Sequence, residues 1–207
     1  MSENVFESFE AYLKGADYPK GKKKIMQAAV DLISTKSYNG TSTLQIAKHA
    51  GLSQATLFKY FKTKEDLLTA ILHPVVPGLF GRFFEELLAL ETTEEKVHYL
   101  VQNRMAYLKT NRALMKIILQ EIFSNKKLRK EQLYIWNTLQ DKLLVLHKEL
   151  IADSRVNPEI TVPQMVRIFI GPLLAYFAQL YIVSDNSDIR EEDLNLLEKQ
   201  ILGGLWK

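Results

Sequence analysis

Apolar residues recur along this chain at intervals of three and four almost from end to end. Alternation with a period of two never lasts more than a few residues, so the pattern predicts helices and no sheet. Val5, Phe6, Phe9, Tyr12 and Leu13 mark a short amphipathic arm ending at Gly15. Ile25, Ala28, Ala29, Leu32 and Ile33 form the stripe of a helix from about Pro19 to Lys36, with the proline suited to its first turn. Tyr38-Asn39-Gly40 reads as a turn. Ser42, with Gln45 three residues on, makes a capping box that opens a helix ending near Ala50, where Gly51 supplies a left-handed stop. A short helix follows over 54–61, and Thr63 caps another that runs to about Leu72. The segment His73-Pro74-Val75-Val76-Pro77-Gly78 then breaks the pattern and is the expected domain boundary. Beyond it the periodicity predicts helices near 79–91, 93–109, 112–124, 127–152, 162–183 and 189–203, with loops at 153–160 and 184–188. The expected fold class is all-α: an N-terminal arm (1–18), a small helical domain (19–72) and a larger helical domain (73–207).

Composition narrows the field. Apolar residues make up 47% of the 207 and charged residues 25%, the balance of a folded chain rather than a disordered one. With no cysteine, disulfides, thiolate metal sites and cysteine nucleophiles are excluded, which fits a reducing cytoplasm. The acidic, mixed start, Met1 to Glu10, does not read as a signal peptide. The longest apolar run, Ile168–Val183, is interrupted by Gly171, Pro172 and Gln179 and falls short of a membrane span, so a buried or interface helix is expected.

Net charge is only +3, but its distribution changes the picture. Between Tyr18 and Lys64 nine lysines face one acid, Asp31, giving +8 and leaving −5 for the rest. A basic first third on a mildly acidic body is the footprint of a chain that touches a polyanion at one end. A solvated lysine face would look the same by charge alone. Lys22, Lys23 and Lys24 suit phosphate or solvent equally.

Residues 43–60 sharpen this. Two short helices are separated by Gly51-Leu52-Ser53, and Ile46, Ala47, Ala50, Leu52 and Leu57 are apolar where the pair would clamp together. That is a helix-turn-helix, whose second helix enters the major groove of DNA. In that helix Leu57 and Phe61 face inward and leave Gln54, Ala55, Thr56, Lys59 and Tyr60 outward. Glutamine can pair with an adenine edge, alanine and the threonine methyl can pack on thymine, and lysine and the tyrosine hydroxyl suit phosphate or guanine.

Residues 22–71 resemble the DNA-binding domain of the tetracycline-repressor (TetR/AcrR) family. The resemblance is carried by Ala28-Ala29, Thr41-Ser42, Ile46-Ala47, Ala50-Gly51-Leu52-Ser53, Thr56-Leu57-Phe58-Lys59-Tyr60-Phe61 and Lys64-Glu65-Asp66-Leu67-Leu68. It implies a DNA-contacting set of Ser42, Thr43, Gln54, Ala55, Thr56, Phe58, Lys59, Tyr60 and Lys64. Thr43 and Lys64 would meet phosphate, Gln54, Ala55 and Thr56 would lie over bases, and Lys59 and Tyr60 would hold the flanking backbone. Two positions depart from the family pattern. Phe58 stands where tyrosine is usual, and Ser37 stands where glycine is frequent, with Asn39-Gly40 left to make the turn.

For the larger half, the resemblance implies a homodimer through the last two long helices, a small-molecule effector and a repressor released from a palindromic operator. Locally, helix 162–183 is apolar all round, with small residues that allow close approach. Phe169, Gly171, Leu174, Ala175, Ala178 and Tyr181 are the expected dimer residues, and Pro172 is expected to kink the helix. His98, Gln102, Arg104, Met105, Tyr107, Glu121 and Phe123 are candidates for contact with an apolar or amphipathic effector. Two rival classes fit the residues less well. Glu95-Lys96-Val97-His98 has the spacing of a carboxylate-bridged metal pair, but His49, His73 and His147 lack a glutamate three residues before them. The other is a helical adaptor or membrane-surface protein using the arm. The arm's acidity, with Glu3, Glu7 and Glu10 against Lys14, disfavours anionic lipid and suits packing on the body or on a partner subunit. No cofactor, metal or catalytic residue is expected, no membrane partner is expected, and the location implied is cytoplasmic.

Overall fold

A computed structural model describes residues 8–74, 82–121, 126–184 and 188–207, with backbone alone for 126–138, and these residues form helices joined by short turns and loops. The helices are α1 (Phe9–Gly15), α2 (Lys20–Lys36), α3 (Thr43–His49), α4 (Gln54–Tyr60), α5 (Lys64–Leu72), α6 (Phe83–Leu88), α7 (Thr93–Thr110), α8 (Arg112–Glu121), α9 (Lys126–Ala152), α10 (Val162–Ala178) and α11 (Glu191–Leu205). Among the described residues the only strand-like feature is an isolated bridge between Val156 and Trp206. The expected helices are found within about two residues of their expected ends wherever those ends are described, except that the one expected near 79–91 is described only over Phe83–Leu88. The start of the arm, the boundary segment 75–78, the start of the 79–91 helix and the end of the 112–124 helix lie outside the described residues. The contacts divide the chain into two units, 1–81 with 110–132, and 82–109 with 133–207.

The first unit is built around α2, which packs against α3, α4, α5 and α8. With neighbours on several sides, its buried set is wider than one stripe: Met26 and Val30 join Ile25, Ala28, Ala29 and Ile33. Residues 110–132 belong to this unit, although the sequence pattern places them in the larger half. The arm packs here too. Ser8 caps α1, Phe9 and Leu13 are buried, and the Phe9 amide donates to Asn111 Oδ1 at 3.3 Å.

The α2–α3 turn departs from expectation. Asn39-Gly40 does not supply the unusual backbone; Ser37 does, at φ 67° and ψ 164°. Gly40 is needed for another reason, since a Cβ there would lie 2.1 Å from the Lys36 carbonyl oxygen.

In the second unit, buried residues recur at three and four on each long helix. They include Val97, Leu100, Val101 and Met105 on α7, Leu139, Leu143, Leu146 and Leu150 on α9, and Leu197, Ile201 and Leu205 on α11. Helix α10 packs on α11 and runs through Pro172 without a break, then widens into a π-helical turn over Gln179–Val183. The chain end is pinned to the 153–160 loop. Asn157 N–H donates to the Leu205 carbonyl and Lys207 N–H to that of Arg155, whose guanidinium lies 4.7 Å from the Trp206 ring centre.

The dimer candidates divide. Phe169 and Tyr181 are buried within the chain, Leu174 and Ala178 are half-buried, and Gly171 and Ala175 are exposed. Ile170 and Ile182 are exposed as well. The helical stretch Val162–Val183 has 22 residues and, by length and composition, is sufficient to cross a membrane, which corrects the shorter estimate from the apolar run. Only 33% of its most apolar window is buried.

Candidate nucleic-acid interface

Helices α3 and α4 pack together with the turn Ala50-Gly51-Leu52-Ser53 between them. Ser42 opens α3 by the expected capping box: its hydroxyl accepts from Gln45 N–H at 3.2 Å and its own N–H donates to Gln45 Oε1 at 2.8 Å. At the other end Gly51, with φ 69°, donates to the Lys48 carbonyl at 3.1 Å, and Leu52 N–H donates to that of Ala47 at 2.9 Å. Those two bonds are the paired closures of a Schellman stop, which a left-handed residue makes possible. Ser53 then caps α4 by accepting from Thr56 N–H at 3.1 Å. Each step of the motif is therefore a local hydrogen bond written by a Ser, Gln or Gly at a particular place.

Ile46, Ala47 and Leu57 are fully buried and Phe61 nearly so, which fixes the face α4 turns inward. On the remaining surface, Ala55 and Lys59 are exposed, and Gln54, Thr56 and Tyr60 are half-exposed. Phe58 is 46% exposed, a large apolar ring left in solvent on a helix seven residues long. The Tyr60 ring and hydroxyl lie against Gly21 at the start of α2. Gln54 and Thr43 meet across the motif, Gln54 Nε2 donating to Thr43 Oγ1 at 2.8 Å. The Thr56 hydroxyl is 2.8 Å from that of Ser53.

Lys64 stands at the first position of α5, after a second capping box from Thr63 and Asp66. Its ammonium donates to the carbonyls of Tyr38 (2.6 Å) and Thr41 (2.9 Å) and lies 3.9 Å from the Tyr38 ring centre. Burial lowers its pKa, and Glu121, a buried carboxyl of α8, opposes that shift. The Glu121 carboxyl is itself raised by burial, with Lys64 pulling the other way. Two of three ammonium donors are thus committed inside the unit. Of the lysine trio, Lys22 lies 3.9 Å from the Tyr18 ring centre, Lys23 donates to the Lys14 carbonyl, and Lys24 is exposed.

The effector candidates do not form one cluster. His98 and Gln102 both reach Glu198 Oε1, at 2.9 and 3.5 Å. Arg104 places its guanidinium 3.9 Å from the Phe83 ring centre and 5.3 Å from that of Tyr107, and burial pushes its pKa down to about 10. Met105 and Tyr107 are buried. Glu121 belongs to the first unit, and Phe123 lies outside the described residues. Glu95 of the Glu-x-x-His pair forms a capping box with Thr92, each accepting the other's backbone N–H. Among the described residues no group of three or more His, Asp or Glu side chains is placed to hold a metal ion.

Residues 25–71 match the family model for bacterial regulatory proteins of the tetR family. That segment, most of α2 through α5, is the TetR-type DNA-binding domain. Over 85 residues the chain is 29% identical to the fatty acid metabolism regulator protein of Bacillus subtilis, covering 41% of this chain and 44% of that one. The matched stretch is thus under half of that relative's length. The fold extends further than the sequence likeness. A TetR family transcription regulator from Marinobacter aquaeolei superposes with a TM-score of 0.69 at 16% identity, over 91% of this chain and 96% of that one. FadR from Bacillus subtilis, solved in complex with stearoyl-CoA, does so with a TM-score of 0.63 at 23% identity, over 87% and 95%.

Proposed function

We propose that this chain is a homodimeric repressor of the TetR family that binds a palindromic operator and releases it when a small amphipathic molecule occupies the second unit. The observation that carries the DNA-binding reading is the Ser53-capped helix α4. It is clamped inward by Leu57 and Phe61 and presents Gln54, Ala55, Thr56, Lys59 and Tyr60 on the opposite side of a segment carrying +8. Gln54 supplies the donor and acceptor an adenine edge requires, and the Thr56 methyl, Ala55 and the exposed Phe58 ring suit thymine methyls. Lys59, Tyr60, Thr43, the Ser42 region and the remaining Lys64 donor would meet phosphate.

Dimerisation is supported by the face of α10 and the turn after it that carries Gly171, Ala175, Ala178 and Ile182 at intervals of four, three and four, an apolar strip with little of its own chain over it. A second copy covering this strip would set two recognition helices about 34–36 Å apart. His98, Gln102, Arg104, Met105 and Tyr107 remain the proposed effector contacts, with Arg104 as the group for an anionic head. The solved stearoyl-CoA complex of a protein with this fold makes acyl thioesters the first molecules to try. In this reading the chain is a cytoplasmic binding protein without catalysis, cofactor or membrane partner.

The test is selection from a randomised double-stranded DNA library by the full-length protein. The expected product is a two-fold site with half-sites one helical turn apart. Gln54→Ala should relax the preference at one base pair per half-site. Lys59→Ala should weaken all sequences alike and reduce the salt slope by about 1 per contact. Enrichment of no sequence would sink the reading.

A further inference from the structure

The bond between Gln54 and Thr43 joins the first residue of the recognition helix to the first residue of the helix before it. Glutamine is a poor reader of bases when left to itself, because three side-chain torsions and a broad terminal amide rotation let it point its oxygen or its nitrogen either way. Here one amide N–H is held at 2.8 Å by the Thr43 hydroxyl. That leaves the second N–H and Oε1, the donor and acceptor that an adenine edge requires. Thr43 is itself a firm anchor. Its β-branched side chain is stiff about χ1, and the residue before it, Ser42, is locked by the capping box with Gln45. The hydroxyl accepts with a lone pair and keeps its own proton to donate. The neighbouring hydroxyl that could compete, that of Thr56, is engaged with Ser53.

We infer that Thr43 is a specificity-determining positioning residue: by holding the Gln54 amide in one orientation it sets which base pair that glutamine accepts. The inference rests on the DNA-binding reading above and adds a role distinct from phosphate contact. The two roles separate cleanly. A lost phosphate contact weakens every sequence by the same factor, because phosphates carry no sequence information. A lost buttress changes the ratio between the preferred base pair and the others at one position in each half-site.

The experiment compares full-length wild type, Thr43→Val, Thr43→Ser, Gln54→Ala and the Thr43→Val/Gln54→Ala pair on the selected operator and its single-base-pair variants, with thermal melts to confirm folding. Wild type should discriminate about tenfold or more at the Gln54 position. Thr43→Val should lower that ratio several-fold and leave ratios at other positions unchanged, and Thr43→Ser, which keeps the hydroxyl, should restore most of it. In the Gln54→Ala background, Thr43→Val should leave discrimination at that position unchanged. A Thr43→Val loss that is uniform across all sequences, with the ratio at the Gln54 position unchanged, or effects of the two substitutions on discrimination that simply multiply, overturns the assignment while the DNA-binding reading stands. A wild-type protein that selects no sequence overturns both.

Discussion

Ser37 sits at φ 67° and ψ 164°, a region that only glycine occupies without strain, and it caps the C-terminus of the longest helix of the first unit. What Ser37 offers in return is modest: its hydroxyl accepts from Gly40 N–H at 3.3 Å. Ser37→Gly should therefore stabilise the protein by about 1 kcal/mol, after allowing for that lost bond, measured by denaturant unfolding. Gly40→Ala should do the reverse, by about 2 kcal/mol, because the clash is with backbone and cannot be relieved by a rotamer. At Gly51 no atom crowds a new Cβ, so Gly51→Ala costs only the left-handed conformation, about 1 kcal/mol. These three values separate strain, crowding and conformational preference within fifteen residues of chain.

In the first unit α1, α3, α4 and α5 each open on a side-chain cap. With α3 and α4 only seven residues long, neither has enough turns to be stable without caps and a packing partner. Ser42→Ala should cost about 1 kcal/mol and lower the melting temperature accordingly. In the second unit, the end of α11 depends on the 153–160 loop. There Arg155 binds Asp153 and Glu94 together, and Thr93 Oγ1 donates to Asp153 Oδ2 at 2.9 Å. The hydrogen bond from the Arg155 side chain is the chief reason the Asp153 carboxyl is held far below the usual range, and Glu94 is lowered for the same reason. A depressed carboxylate contributes stability above its unfolded pKa and loses it as pH falls through the folded value. Stability should thus decline below about pH 4, the unfolded carboxyl range, and Asp153→Asn should flatten that decline in melts taken from pH 6 downward.

At the scale of the whole molecule, the apolar strip through Gly171, Ala175 and Ile182 is the surface to break. Ala175→Arg places a charge on an exposed position, so the chain should still fold while sedimentation shifts to monomer. Operator affinity should fall by more than tenfold, since a half-site alone offers one recognition helix. In the proposed function effector and operator are coupled through one equilibrium, so whatever factor an effector takes from operator affinity, operator must take from the effector's own. Titrating the effector with and without DNA would measure that factor from both sides.

Most of the first unit was legible in the sequence because its signals are local. A capping box spans four residues, a Schellman stop spans six, and an inward face repeats every three or four. Gln54, Lys59 and Phe58 could be placed on the recognition helix for the same reason. Three things were decided only by the tertiary structure. Residues 110–132 join the first unit because α8 packs along α2, and an apolar stripe does not say which neighbour it will meet. Lys64 turns its ammonium to Tyr38 and Thr41, carbonyls more than twenty residues away in sequence, so its charge alone could not reveal how many donors it keeps for DNA. The bond from Gln54 to Thr43 spans eleven residues across the turn. Sequence names both partners as DNA contacts, but only the packing of α3 on α4 brings one against the other.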